Sequence, residues 1–192
     1  MRILLAGILG GIVMFIWSYV AHDLLPLGEI GVRELPNEQS VVSAMQSGIA
    51  EESGLYMFPG TGLAHGAPSK EKTEAKKRAM EKIASNPSGL LLYHATRPLN
   101  FAKLLTVEFG KEFLQAILAV FLLAQTRING FGGRVGFVLV VGIIAAIGTN
   151  VSYWNWYGFP DNYTASYMFM EIVGFLCVGI VAALVLGRRS AA

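Results

Sequence analysis

Long runs of uncharged, apolar residues constrain this chain more than any other feature. Ile3–Ala21 is a run of 19 residues, Val135–Val151 of 17 and Ile172–Gly187 of 16, and the last lengthens toward Ala165 if Glu171 is included. A helix needs about 20 apolar residues to cross the hydrocarbon core of a bilayer, with a range of roughly 17–25. The runs therefore predict transmembrane helices and a mainly α-helical integral membrane protein.

Composition agrees with this prediction. Hydrophobic residues make up 54% of the 192 residues and charged residues 15%, whereas soluble domains contain about 25% charged residues. The net charge of +2 is too small to indicate a nucleic-acid partner. Cys177 is the one cysteine of the sequence, so no disulfide within the chain can stabilise a water-exposed segment.

A fourth span is predicted from charge placement rather than from length. Phe113–Gln125 is uncharged over only 13 residues, and its extension back to Leu104 carries Glu108, Lys111 and Glu112. If this segment also spans, both termini and the 126–134 loop share one side, which is then rich in arginine and free of acidic residues. Cytoplasmic loops carry such an excess of positive charge. The arginines on that side are Arg2, Arg127, Arg134, Arg188 and Arg189.

The sequence thus predicts a four-helix transmembrane bundle with a small α/β domain between helices 1 and 2. We expect a multi-pass protein of a bacterial-type inner membrane, with both termini cytoplasmic and the domain periplasmic or extracellular. The predicted boundaries are helix 1 at 1–21, the outer domain at 22–103, helix 2 at 104–125, helix 3 at 134–151, an aromatic outer loop at 152–165 and helix 4 at 166–187.

The outer domain is predicted to contain two helices and two strands. Asn37 is placed to cap the first helix, and Ser69 to cap a second helix over Ser69–Ser85. Gly54–Phe58 and Leu90–His94 have the composition of strands. A strand–helix–strand unit predicts parallel pairing through a right-handed crossover. Because two strands make a poor sheet alone, we expect the domain to lean on the membrane, on a second copy or on a partner.

Polar residues predicted to lie in the outer half of the bundle are the candidate site. Ionisable groups in a membrane are costly and usually face a cavity or a partner. The cluster could bind a divalent metal or relay protons or a cation. In the alternative interpretation, Glu108 and Glu112 reach water and pair with Lys111 or Arg97, while Glu171 hydrogen-bonds across helices. The candidates are His22, Glu108, Glu112, Gln115, Asn150 and Glu171.

The aromatic loop is the second candidate surface. Five aromatic residues fall within Tyr153–Phe159, and amphipathic rings of this kind concentrate at membrane–water interfaces. We expect a partner or the interface to contact Trp154, Trp156, Tyr157 and Phe159.

Two functions remain open from the sequence. The first is a non-enzymatic membrane component, an accessory subunit or assembly factor that binds a membrane-protein partner, or a second copy, through the outer domain and the aromatic loop. The second is a small transporter, channel or membrane enzyme that uses the carboxylates. No motif indicates a cofactor, because the sequence has no Glu-x-x-His pair and no phosphate-binding loop.

Overall fold

The protein is mostly helical and divides into two compact units. The computed structural model describes residues 1–49, 51–63 and 66–187. Unit 1 comprises Met1–Arg33 and the chain from Leu99 onward, and unit 2 comprises Glu34–Pro98. In chain order the elements are α1 (Arg2–Tyr19), α2 (Glu38–Ile49), β1 (Gly54–Phe58), α3 (Ser69–Ser85), β2 (Gly89–Tyr93), α4 (Phe101–Ala124), α5 (Phe131–Tyr157) and α6 (Asp161–Leu186).

Three helices of unit 1 are long and apolar enough to cross a membrane. They are Arg2–Leu24, in which a π-helical turn extends α1, Phe131–Tyr157 and Asp161–Leu186. These helices contain the three apolar runs, and they support the prediction of a helical membrane protein. Helix α4 is also long, with 24 residues. Its first half carries four charged side chains, so it is less apolar than these three helices and is not among the candidate spans.

Small residues on α1 allow the helices of unit 1 to approach closely. Helix α1 packs between α4 and α6, and α6 also packs against α5. A Cβ atom at Gly11 would lie 2.9 Å from the Cα of Phe113, and one at Gly7 would lie 3.0 Å from the Cα of Ile117. Any larger side chain at either position would therefore push α4 away from α1. Helix packing in membranes uses small residues in this way.

The predicted aromatic loop is largely helical. Helix α5 continues to Tyr157 and α6 begins at Asp161, so only three residues separate them. The left-handed conformation of Gly158 (φ 70°) ends α5, and its N–H donates to the Trp154 carbonyl. Left-handed residues after a helix are commonly glycine because glycine has no Cβ to clash. Both helix ends therefore lie inside the predicted loop of 152–165, because aromatic residues at an interface do not by themselves interrupt a helix.

Unit 2 contains a two-stranded sheet whose pairing is antiparallel, so the predicted parallel pairing is wrong. Gly54 pairs with Tyr93 and Phe58 pairs with Gly89. The two strands therefore run in opposite directions, with the end of β1 beside the start of β2. Parallel sheets are normally covered on both faces, whereas antiparallel sheets can expose one face to water. A sheet of two strands fits only the second description.

Of the two predicted helix caps in unit 2, the one at Ser69 is not found. Pro68 occupies the N-cap position of α3, with no side-chain cap, and Ser69 is already helical. Ser69 is therefore not the cap. Asn37 directly precedes α2, has a positive φ of 54°, and accepts hydrogen bonds from Ser40 and Val41 through its backbone carbonyl.

Candidate functional site

Two carboxylates of α4 share one lysine. The Nζ atom of Lys111 lies 2.6 Å from Oε1 of Glu108 and 3.2 Å from Oε1 of Glu112. The side chains of Lys111 and Glu108 are about half exposed. The alternative interpretation is thus confirmed for the lysine pairing, which follows from helical spacing because residues three or four apart share one face.

Glu112 does not reach water, contrary to that interpretation. The residue is only 4% exposed, and its second oxygen, Oε2, is buried without a hydrogen-bond partner among the described residues. The Oε1 atom of Gln115, one helical turn further along α4, is buried without a partner in the same way. Buried polar groups in proteins are almost always paired, so two orphaned acceptors on one helix face need an explanation.

Glu171 and Asn150 both contact the hydroxyl group of Thr149, where α5 packs on α6. The Thr149 hydroxyl lies 3.0 Å from Oε2 of Glu171 and 2.9 Å from the Ala145 carbonyl. The Asn150 amide donates to the Thr149 hydroxyl at 2.8 Å. The expected hydrogen bond of Glu171 across helices is therefore confirmed, with Thr149 as the partner that sequence analysis did not identify.

His22 has a packing role at the end of the π-helical turn. Its Nδ1 donates to the Ser18 carbonyl at 2.9 Å, and its ring meets the Tyr167 ring edge-on with centroids 6.1 Å apart. The ring also lies directly against Gly28, where a Cβ atom would be 2.5 Å from His22 Cδ2.

The six candidate residues fall into three groups rather than one. Glu108, Glu112 and Gln115 are on α4, Glu171 and Asn150 both bond to Thr149 of α5, and His22 packs on Tyr167. Helix α1 lies between α4 and α6, and no hydrogen bond joins these groups in the described part of the chain. Within residues 1–49, 51–63 and 66–187, no three His, Cys, Asp or Glu side chains are close enough to hold a metal ion.

A row of aromatic rings, the aromatic corner, covers the junction of α5 and α6. Successive ring centroids are 5.8, 5.5, 5.5 and 4.4 Å apart. Part of this row lines a cavity of about 230 Å³ that also contacts Thr149, Asn150 and Thr164. The rings, in order, belong to Tyr157, Tyr153, Phe159, Tyr163 and Tyr167.

Two tryptophans beside the corner, Trp154 and Trp156, have different environments. The indole N–H of Trp154 donates to Oδ1 of Asp161 at 2.6 Å and so joins the end of α5 to the start of α6. Trp156 is 78% exposed and remains the most accessible ring of the predicted interface set.

At the opposite end of unit 1, a buried arginine joins three segments. Arg134 is 3% exposed, and it donates to the carbonyls of Gly187 and Ile128. A second cavity, of about 200 Å³, lies between Arg2 and Arg134. From the sequence, Arg134 was predicted only as one of the arginines on the cytoplasmic side. A useful signal was its position directly before an apolar run, where a cation can bond the free carbonyls that end a neighbouring helix.

Comparison with known protein families, with characterised proteins and with solved structures finds nothing that matches this chain.

Proposed function

We propose that α1, α4, α5 and α6 all span the membrane, with unit 2 outside the cytoplasm. The contacts of Gly7 and Gly11 with Ile117 and Phe113 support a span for α4, because they align its apolar half with the middle of α1. Any membrane that α1 crosses must then also surround α4. The shared end of Arg2 and Arg134 supports a cytoplasmic location for that end. Arg188 and Arg189 lie outside the described residues.

We further propose that the protein is a non-enzymatic component of a bacterial-type inner membrane that binds a partner protein. The observation that carries this proposal is an exposed apolar face on the sheet of unit 2. Leu55 and Leu92 are direct cross-strand partners, and Met57 follows on the same face. These side chains are 66%, 67% and 61% exposed, respectively.

This sheet face, defined by Leu55, Met57, Leu90 and Leu92, is hard to reconcile with a free water-exposed domain. Exposed apolar patches on soluble surfaces usually mark sites of interaction. Both strands are also edge strands, because the sheet has only two, and a free edge can pair with another chain. The opposite face, with Tyr56, is half-buried, so the exposed face is the one left for a partner.

The tryptophans beside the aromatic corner supply a second contact in this proposal. The exposed Trp156 and the half-exposed Trp154 carry rings that combine apolar area with a polar N–H group. Such rings suit either the headgroup layer or a partner's membrane segment.

The alternative function, a small transporter, channel or membrane enzyme, is supported by one observation. Glu112 is buried with one oxygen unpaired, and ionisable residues in such positions often bind an ion or a proton. Because the six candidates fall into three groups, they do not form one shared site. The alternative function then depends on a single residue pair, Glu112 and Gln115.

Photo-crosslinking in the intact membrane tests the partner-binding proposal. A photoreactive phenylalanine analogue is placed at Leu55, at Leu92 or at the control position Met80, which is 70% exposed on α3 of the same unit. We expect a discrete adduct from Leu55 and Leu92 and none from Met80. The mass of the adduct separates a different partner from a second copy of the chain. Equal labelling at all three positions, or none at any, would contradict the proposal.

A further inference from the structure

The buried oxygens of Glu112 and Gln115 form an unusual pair on α4. Both atoms, Oε2 of Glu112 and Oε1 of Gln115, are acceptors without a donor among the described residues. The residues are three apart, so their side chains are neighbours on one helix face. The other carboxylate oxygen of Glu112 lies toward Lys111, 3.2 Å from its Nζ. The carboxyl group thus has one oxygen at the half-exposed lysine and one in the interior.

In the described part of the chain, α1 and α5 bring no charged side chain to the inner oxygen of Glu112. Helix α1 packs on α4, and its residues from Ile3 to Ser18 carry no titratable side chain. Helix α5 holds no charged residue between Arg134 and its end, and its tyrosines lie at the aromatic corner. On α6 the charged candidate, Glu171, lies at Thr149. The other titratable groups of α6 within the bundle are Tyr163, Tyr167 and Cys177.

One proton would satisfy both orphaned atoms. If Oε2 of Glu112 carries the proton, its O–H group can donate to Oε1 of Gln115. A buried acceptor left unpaired is destabilising, and the same proton pairs both acceptors. It also balances charge: Lys111 and Glu108 then form a neutral ion pair, and the group of three side chains carries no net charge.

We propose that Glu112 is a proton-binding site of the helical unit, occupied at neutral pH, whose carboxylic acid donates a hydrogen bond to Gln115. The exposed Lys111–Glu108 pair connects the site to water, because Lys111 contacts the outer oxygen of the carboxyl group. The proton comes from that water and returns to it. This inference does not rest on partner binding through unit 2.

The number of available oxygens favours a proton over a metal ion. The structure offers two unpaired acceptors here, and a proton joins two oxygens as donor and acceptor. Calcium takes 6–8 oxygen ligands, and magnesium demands an octahedral set. Among the described residues, no third acidic or imidazole group joins Glu112 to make a metal cluster.

Infrared spectroscopy of the purified full-length protein in lipid tests the proposal. A protonated carboxyl group has a C=O stretching band that ionised carboxylates lack, and that band shifts on exchange into heavy water. We expect this band at neutral pH in the wild type, its loss in Glu112→Gln, and its retention in the controls Glu108→Gln and Glu171→Gln. Absence of the band in the wild type would overturn the proposal, because Glu112 would then be ionised. In that case the Gln115 amide nitrogen would be the donor to the carboxylate. Retention of the band in Glu112→Gln would also overturn it.

A second variant keeps the test decisive if Glu112→Gln does not fold. In Gln115→Leu the acid loses its acceptor, so we expect the band to remain and to move to higher frequency. An unchanged band position in Gln115→Leu would show that the proton is not shared with Gln115, and it would contradict the proposal. Gln125→Leu, on the exposed end of α4, is the matched control and should leave the band where it is.

Discussion

Two charged side chains of unit 1, Glu112 and Arg134, are almost fully buried, and they are satisfied differently. Arg134 donates to two backbone carbonyls, those of Gly187 and Ile128. Glu112 has a partner for only one of its two oxygens. Arginine keeps its charge under all ordinary conditions, whereas a carboxyl group can bind a proton. Arg134 therefore has a structural role, and Glu112 belongs to a candidate site.

Substitution of Arg134 should weaken unit 1. Arg134→Ala removes donors from the carbonyls that end α6 and the 126–130 loop, and hydrogen bonds to charged groups contribute about 1.5–3 kcal/mol each. We expect the free energy of unfolding to fall by about 2–4 kcal/mol. Unfolding in mixed micelles, followed by circular dichroism, measures this loss.

The exposed Arg127 provides the control for that substitution. Arg127→Ala should change the free energy of unfolding by less than about 0.5 kcal/mol, as is usual for surface positions. Equal effects of the two substitutions would show that the bonds of Arg134 to the backbone add nothing to stability.

At the scale of elements, the contact between α1 and α4 depends on glycine. Gly7 and Gly11 are four residues apart, so they share one face of α1, and each lies against the α4 backbone. This spacing is the small-xxx-small pattern of membrane helix pairs. The pattern explains how a helix with charges in its first half can pack along a fully apolar helix.

A side chain at Gly11 should force these helices apart. In Gly11→Ala the new Cβ would lie 2.9 Å from the Phe113 Cα, and overpacking of this kind costs about 1–3 kcal/mol. Gly110→Ala on α4 is the matched control, because a Cβ there meets nothing within 4 Å. The control should be neutral or stabilise the helix by about 0.5–1 kcal/mol. Mixed-micelle unfolding of both variants measures the difference, and a Gly11→Ala protein as stable as the control would contradict this packing.

The elements also show what the sequence could predict. Apolar runs located α1, α5 and α6, because lipid requires them, and helical spacing predicted the Lys111 ion pairs. The rotation of each helix about its axis is set by contacts between distant residues. For that reason the separation of Glu171 from Glu112 could not be read from the chain. The antiparallel pairing was missed because strand composition does not determine strand direction.

At the scale of the whole molecule, unit 2 is inserted in the chain between α1 and α4 of unit 1. Unit 2 begins after the end of α1 and ends before the start of α4, so it divides no helix of unit 1. Among the described residues unit 2 contains no candidate span, so both of its ends lie on one side of a membrane that α1 crosses. The loop between α4 and α5 lies on the opposite side only if α4 also crosses. The fourth span is therefore the central claim.

Paired topology reporters test that claim most directly. One reporter that is active only in the cytoplasm, and one active only outside it, are inserted after Gly62 in the open loop of unit 2 and after Gly130 between α4 and α5. We expect an outside signal at Gly62 and a cytoplasmic signal at Gly130. The same side at both positions would mean that α4 does not cross the membrane, and it would contradict the four-span arrangement.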